Sequence, residues 1–163
     1  MRVFGITGWK NTGKTTLTER LVTEFTRRGF SVSTVKHAHH AVDVDQPGTD
    51  SFRHREAGAS QVLLASGNRW ALMNELRGAP EPDLDELLTR LDPVDIVLVE
   101  GFKRAGHPKI ETHRKAAGHD LIAPGNATFR AIATDSPLQV DRPTFDLNDI
   151  AGIADFILKE TAS

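Results

Sequence analysis

Apolar positions along the chain follow two rhythms, one suited to strands and one to helices. Residues 3–7 form a short, mostly apolar run fit for a buried strand. Residues 15–28 then carry Leu17, Leu21, Val22 and Phe25 at the spacing of one helical face. The basic pair Arg27-Arg28 followed by Gly29 marks the end of that helix. Residues 30–35 are rich in β-branched side chains and predict a second strand, which the polar stretch 36–50 leaves as a loop. A short helix over 51–59, strands over 61–65 and 70–73, and a helix over 84–91 follow. The last helix is entered through Gly78-Ala79-Pro80-Glu81-Pro82, which no regular element can continue.

Residues 95–100 read Asp-Ile-Val-Leu-Val-Glu, an apolar run without polar alternation that suits a central parallel strand covered on both faces. Shorter strands are expected over 110–113 and 130–134, separated by an irregular polar segment, 114–127. An amphipathic helix over 148–160 puts Ile150, Ile153, Phe156 and Ile157 on one face, with Asn148 as its N-cap. Strands alternating with helices predict an α/β fold with a doubly wound, mostly parallel sheet, in a single domain covering residues 1–163.

Composition narrows the chemistry. At 163 residues a single domain buries roughly 70% of its unfolded surface and needs no covalent staples. The absence of cysteine excludes disulfides, thiolate metal sites and a Cys nucleophile within this chain. Lys and Arg total 20 against 22 for Asp and Glu, a balance that argues against general coating of nucleic acid. The longest fully apolar run, 96–99, falls far short of the roughly 20 residues a membrane span needs. The N-terminal apolar stretch is broken at once by Gly5, Thr7 and Gly8, so no signal peptide is expected and the reading is a cytoplasmic protein.

One motif carries specific chemistry. Gly8-Trp9-Lys10-Asn11-Thr12-Gly13-Lys14-Thr15 fits G-x-x-x-x-G-K-[ST], between a strand and a helix. The glycines let the backbone turn successive N–H groups inward onto a polyphosphate. Lys14 is expected to reach the β- and γ-phosphates and the Thr15 hydroxyl to hold Mg²⁺, at a helix N-terminus whose dipole favours an anion. Glu100, closing the central strand before Gly101, is the acid expected near the metal or its water shell. Lys14 and Glu100 are the candidate catalytic groups. Asp45 and Asp50 fall in the loop after the second strand, suited either to the metal shell and γ-phosphate sensing or to capping the next helix. Thr134-Asp135 ends a strand, where a carboxylate could accept the N1–H and N2–H₂ edge of guanine and disfavour adenine, or simply initiate a turn.

The phosphate loop GWKNTGKTTL, the segment TVKHAHHAVDVDQPGTDSFRHREAGA (residues 34–59), RWALM (69–73) and VEGFK (99–103) together resemble the molybdopterin-guanine dinucleotide biosynthesis protein B family, from about Arg2 to Glu160. The resemblance implies a P-loop NTPase fold and a GTP-binding, weakly hydrolysing protein of the same broad class as the nickel-insertion GTPases. It further implies a homodimer that assists a molybdenum cofactor guanylyltransferase, the enzyme that attaches GMP to molybdenum-bound molybdopterin. Gly8, Asn11, Thr12, Gly13, Lys14, Thr15 and Thr16 would hold the GTP phosphates, Thr15, Asp50 and Glu100 would lie near the magnesium, and Asp135 would read guanine. The wider class often carries a second lysine directly after the first loop glycine. This chain has Trp9 there and Lys10 one place later.

Two clusters allow other readings. His37, His39 and His40 follow a strand and could bind a metal, a pterin, a phosphate or a partner, or be ordinary polar loop residues. Lys103, Arg104, Lys109, Arg114 and Lys115 form a basic stretch suited to an anionic molybdopterin-type ligand, to an acidic partner patch, or to solvent alone. Trp9 and Trp70 are candidates for stacking or an interface, a strand tryptophan being more often core. The alternatives to a GTP-binding accessory factor are a metal-delivery GTPase, for which the cysteine ligands are missing, and a small-molecule kinase, for which no compact arginine-rich lid is present.

Overall fold

A computed structural model describes residues 1–38 and 42–162. Contacts divide the chain into two compact units, one comprising Met1–His37 with Leu84–Ser163 and the other Ala38–Asp83. The larger unit is built on a six-stranded sheet in the order β2-β5-β1-β6-β7-β8, with every pairing parallel. The strands are β1 (Arg2–Gly8), β2 (Val32–Lys36), β5 (Ile96–Glu100), β6 (Lys109–His113), β7 (Phe129–Thr134) and β8 (Thr144–Asp146). Its helices are α1 (Lys14–Arg27), α3 (Leu84–Leu88) and α4 (Ile150–Glu160). None of the described helices is long and apolar enough to cross a membrane.

The central strand covers itself on both faces, as its unbroken apolar run predicts. Ile96 and Leu98 join a core with Leu17, Leu21 and Phe25 of α1 and Ile153 and Ile157 of α4. Val97 and Val99 point the other way, against Leu84 of α3. The period of two therefore turns Glu100 to the α1 face, and its register partner Lys36 at the end of β2 with it. A third cluster, Ala123, Phe129 and Ile132, lies against Leu121, Ile122, Leu138 and Val140 and seals β7 with irregular chain.

Three elements depart from the sequence reading. The strand β8 is only three residues long and carries no periodic signal. The N-cap of α4 is Asp149, which accepts from the Gly152 N–H, whereas Asn148 accepts from the Arg20 guanidinium. Both residues are good caps, so composition alone could not choose between them. The helix expected over 84–91 stops at Leu88 and its last turn tightens, Leu91 N–H reaching only to the Leu88 carbonyl.

The smaller unit holds α2 (Asp50–Glu56) and the antiparallel hairpin β3 (Gln61–Ala65) with β4 (Trp70–Asn74). Its organising group is Arg55, whose guanidinium meets Asp43, Asp45 and Glu75 at 2.8–3.3 Å. Those bonds raise its already high pKa, the bond to Asp43 most of all. On one face of the hairpin Leu63, Trp70 and Leu72 are 61%, 62% and 46% exposed, so Trp70 is not the core residue that a strand tryptophan usually is.

Candidate functional site

The chain crosses from one side of β1 to the other between β5 and β6, and the C-terminal ends of β1, β5 and β6 open a crevice there. The phosphate loop fills it. Gly8 has φ +150°, and a Cβ there would stand 2.5 Å from the Thr112 carbonyl oxygen and Oγ1, so β6 forces a glycine at this turn. Asn11 and Gly13 are left-handed, at φ 64° and 97°, which reverses the chain into α1. Gly13 occupies the N-cap without a side-chain bond, leaving the first-turn N–H groups of α1 for an anion. Thr12 is buried: its hydroxyl donates to the Trp9 carbonyl and pairs with Thr112 at 2.8 Å, so only its backbone N–H is available to a phosphate.

An open pocket of about 490 Å³ lies over this loop, lined by Asn11, Gly13, Lys14, Thr15, Thr16 and Glu100 together with Lys10 and Arg114. Lys14 Nζ donates to the Trp9 carbonyl at 2.6 Å. Its pKa is lowered, chiefly by burial, with Glu100 acting to raise it and Lys103 and Lys36 acting to lower it. Thr15 Oγ1 donates to Glu100 Oε1 at 3.0 Å. The two hard oxygens expected around magnesium thus stand side by side, which is the donor chemistry that ion requires. Lys36 Nζ lies 3.4 Å from the same Oε1.

Asp135 follows β7 and lines a second pocket, of about 280 Å³, with Thr134, Ser136, Leu138, Phe145 and Asp146 among its walls. Its Oδ1 accepts the Lys115 N–H at 3.0 Å, and its Oδ2 lies 3.8 Å from Arg114 Nη1. Arg114, read from the sequence only as one cation of the basic stretch suited to an anionic ligand, stands at this site. It lines the phosphate pocket, approaches Gly13, and touches the carboxylate of the base candidate. The available signal was its place directly after β6, at the same sheet end as the phosphate loop. The apolar walls Leu138 and Phe145 gave no signal, since β8 was not legible.

Asp50 belongs to the smaller unit. It is the first residue of α2, 92% exposed at its side chain and 3.9 Å from Arg53, and the cap of that helix is Thr49, whose hydroxyl accepts from Phe52 N–H. Asp45 is committed there: it accepts from Gln46 N–H, the Thr49 and Ser51 hydroxyls and Arg55 Nε. Burial pushes its pKa up, and those bonds outweigh it and hold the carboxyl below its ordinary value. His37 stacks on Phe102 at 4.8 Å, and its N–H extends the ladder to the Glu100 carbonyl. His39 and His40 lie outside the described residues, and among those described no group of three or more His, Asp or Glu could hold a metal ion.

Trp9 anchors the basic stretch to the loop. Its indole N–H donates to the Asp120 carbonyl, Lys103 Nζ sits 4.2 Å from its ring, and His119 packs at 5.2 Å. Lys109 does not belong to this surface. It is fully buried in β6 and donates to the Ala105 and His107 carbonyls and to Thr128 Oγ1. Burial lowers its pKa to about 8.

A parallel sheet with a G-x-x-x-x-G-K-T loop at its switch point defines a P-loop nucleotide-binding protein. Within that class, the family model for molybdopterin guanine dinucleotide synthesis protein B matches residues 3–135, and the chain belongs to this family. It is 43% identical over 156 residues to the molybdopterin-guanine dinucleotide biosynthesis adapter protein of Escherichia coli (strain K12), covering 93% of this chain and 88% of that protein. Identity to the protein of the same name from Haemophilus influenzae is 46% over 158 residues, 95% of this chain and 86% of the relative. Among solved structures, a MobB protein homolog from Bacillus stearothermophilus superposes with a TM-score of 0.71 at 28% identity, over 99% of this chain and 98% of that one.

Proposed function

We propose that the protein binds GTP with Mg²⁺ and serves as an adapter in molybdopterin-guanine dinucleotide biosynthesis, supporting a molybdenum cofactor guanylyltransferase. The observation that carries this reading is the phosphate loop with Thr15 and Glu100 joined at the mouth of the crevice. Residues 8–16 supply backbone N–H groups and the Lys14 charge to the phosphates. Thr15 and Glu100 would hold the metal, which would supply charge neutralisation to the bound phosphates. Asp135 reads guanine between the walls of the second pocket.

Hydrolysis is slow in this reading. The described residues lining the phosphate pocket do not include a glutamine, the residue type that orients an attacking water in GTPases of this class. The exposed apolar face of Leu63, Trp70 and Leu72 supports a homodimer, and the basic surface around Lys103 and Arg104 suits an anionic molybdopterin-type ligand or an acidic partner. A cytoplasmic site of action is part of the same reading.

The test is a calorimetric titration of GTP and ATP into the purified protein, with and without the guanylyltransferase, following phosphate release in the same samples. The expected result is a preference for GTP of about tenfold or more, one bidentate contact to a base edge being worth about 1–3 kcal/mol. Turnover of the protein alone is expected to be slow, and Lys14→Ala should lose binding of both nucleotides while keeping its circular dichroism spectrum. Equal affinity for ATP, or rapid hydrolysis without a partner, overturns the proposal.

A further inference from the structure

Lys36 has no part in the phosphate-loop motif, yet it ends β2 in direct register with Glu100. Parallel strands put register partners on the same face, and this face is the one that looks onto α1. The ammonium therefore reaches Glu100 Oε1 at 3.4 Å, the oxygen that also accepts from Thr15 at 3.0 Å. It holds a positive charge next to the Thr15–Glu100 pair, where a divalent cation would lie.

The surroundings show that this charge is not there merely to balance the carboxylate. Lys14, Lys36 and Lys103 are close enough for the last two to disfavour the charged form of the first, and Glu100 is the one anion among the groups acting on Lys14. Lys10, Lys14 and Arg114 line the pocket with the carboxylate of Glu100, and Lys36 adds a further ammonium at that carboxylate, an excess of positive charge that a polyphosphate discharges. Lys103 rests on the Trp9 ring and Lys14 on the Trp9 carbonyl, on the loop side of the pocket. Lys36 comes from β2, on the far side of Glu100 from β1 and its phosphate loop.

We propose that Lys36, held beside Glu100 by the register of β2 and β5, pairs through its ammonium with the terminal phosphate of a bound nucleoside triphosphate, making the site selective for triphosphate over diphosphate. This rests on the nucleotide-binding reading above. A divalent cation held by Thr15 and Glu100 would take the place of the ammonium beside the carboxylate. The displaced ammonium then finds its new partner in the γ-phosphate, which a diphosphate lacks. An ordinary ion pair at a sheet end would do none of this, and its removal would leave binding unchanged.

The experiment compares wild type, Lys36→Met and Lys36→Arg by calorimetry with GTP and GDP, each in saturating Mg²⁺. The Lys36 side chain is 59% exposed, so the methionine variant should fold, and a thermal melt checks that it does. Lys36→Met is expected to weaken GTP about tenfold and GDP less than twofold, while Lys36→Arg restores most of the preference. Equal losses for both nucleotides, or no loss for either, overturn the assignment. Wild-type protein that binds neither nucleotide would instead overturn the nucleotide-binding reading on which it depends.

Discussion

At Asp135 the question of which purine is accepted reduces to acceptors and donors on one side chain. Its Oδ1 already takes the Lys115 N–H, and its Oδ2 has only the long approach of Arg114. Guanine presents two donors to such a carboxylate, whereas adenine presents an unprotonated N1 that the oxygens repel. Asp135→Asn exchanges an acceptor for an NH₂ donor and should reduce the GTP-over-ATP preference by about 1–3 kcal/mol, measured as the ratio of the two dissociation constants. Retained preference would mean that the base is read by other groups. The same scale shows what a sequence can disclose. Gly8, Gly13, Lys14 and Thr15 were legible because consecutive residues fix the chemistry of the loop. Lys36 was not, and Arg114 was legible only as one cation of a basic stretch, because they enter from β2 and β6 and only the register of the sheet brings them to the loop.

Among the elements, β5 was the most legible, since an apolar run closed by an acid leaves little choice of environment. The connections around β6 were least so, because buried polar groups organise them. Glu111 takes the Ile122 N–H on both oxygens and the Ala123 N–H on one, pinning a segment that has no regular structure. Burial raises its pKa in spite of those bonds. The loop from β5 to β6 carries His107, whose ring nitrogens are buried without a hydrogen-bond partner and lie against Gly5. Burial, with a smaller push from Lys109, lowers its pKa to about 4. The unfolded chain takes up a proton near pH 6.5 while the native ring refuses it until about pH 4, so stability must fall as pH drops through that window. Urea unfolding between pH 7 and pH 4 should show a loss of about 2 kcal/mol from this group, discounted for partial solvent screening. The slope should flatten in His107→Gln. An unchanged slope would show that the imidazole is protonated in the native state.

For the whole molecule, the net charge of −2 averages a basic crevice rim against acidic surface elsewhere. It is the local excess, not the total, that suits a polyanion. The hairpin of the smaller unit carries the clearest sign of a partner, because two-stranded sheets are marginal alone and this one turns three large apolar side chains outward on a single face. A charge on that face should be incompatible with a buried interface. Leu63→Lys combined with Trp70→Ser is expected to run as a monomer in sedimentation velocity where wild type runs as a dimer, with Lys14-dependent nucleotide binding retained. A wild-type monomer would remove the hairpin as a self-association surface. The periodicity of residues 61–65 and 70–73 located the strands, but their outward apolar face was not legible, because nothing in a short apolar strand says which side is covered.

The chain has two tryptophans and no tyrosine, and the two indoles stand at its two different kinds of surface. Trp9 is part of the phosphate loop under the Lys103 ammonium, and Trp70 projects from the hairpin. Intrinsic fluorescence of this protein is therefore two signals with separate origins. Emission that depends on nucleotide would come from Trp9, whose backbone carbonyl accepts from Lys14 and whose ring lies under Lys103. On the proposed self-association, emission that depends on protein concentration would come from Trp70 at the hairpin surface. Replacing either one with phenylalanine isolates the other, so that loading of the crevice and assembly of the protein can be followed optically, one at a time, without an added label.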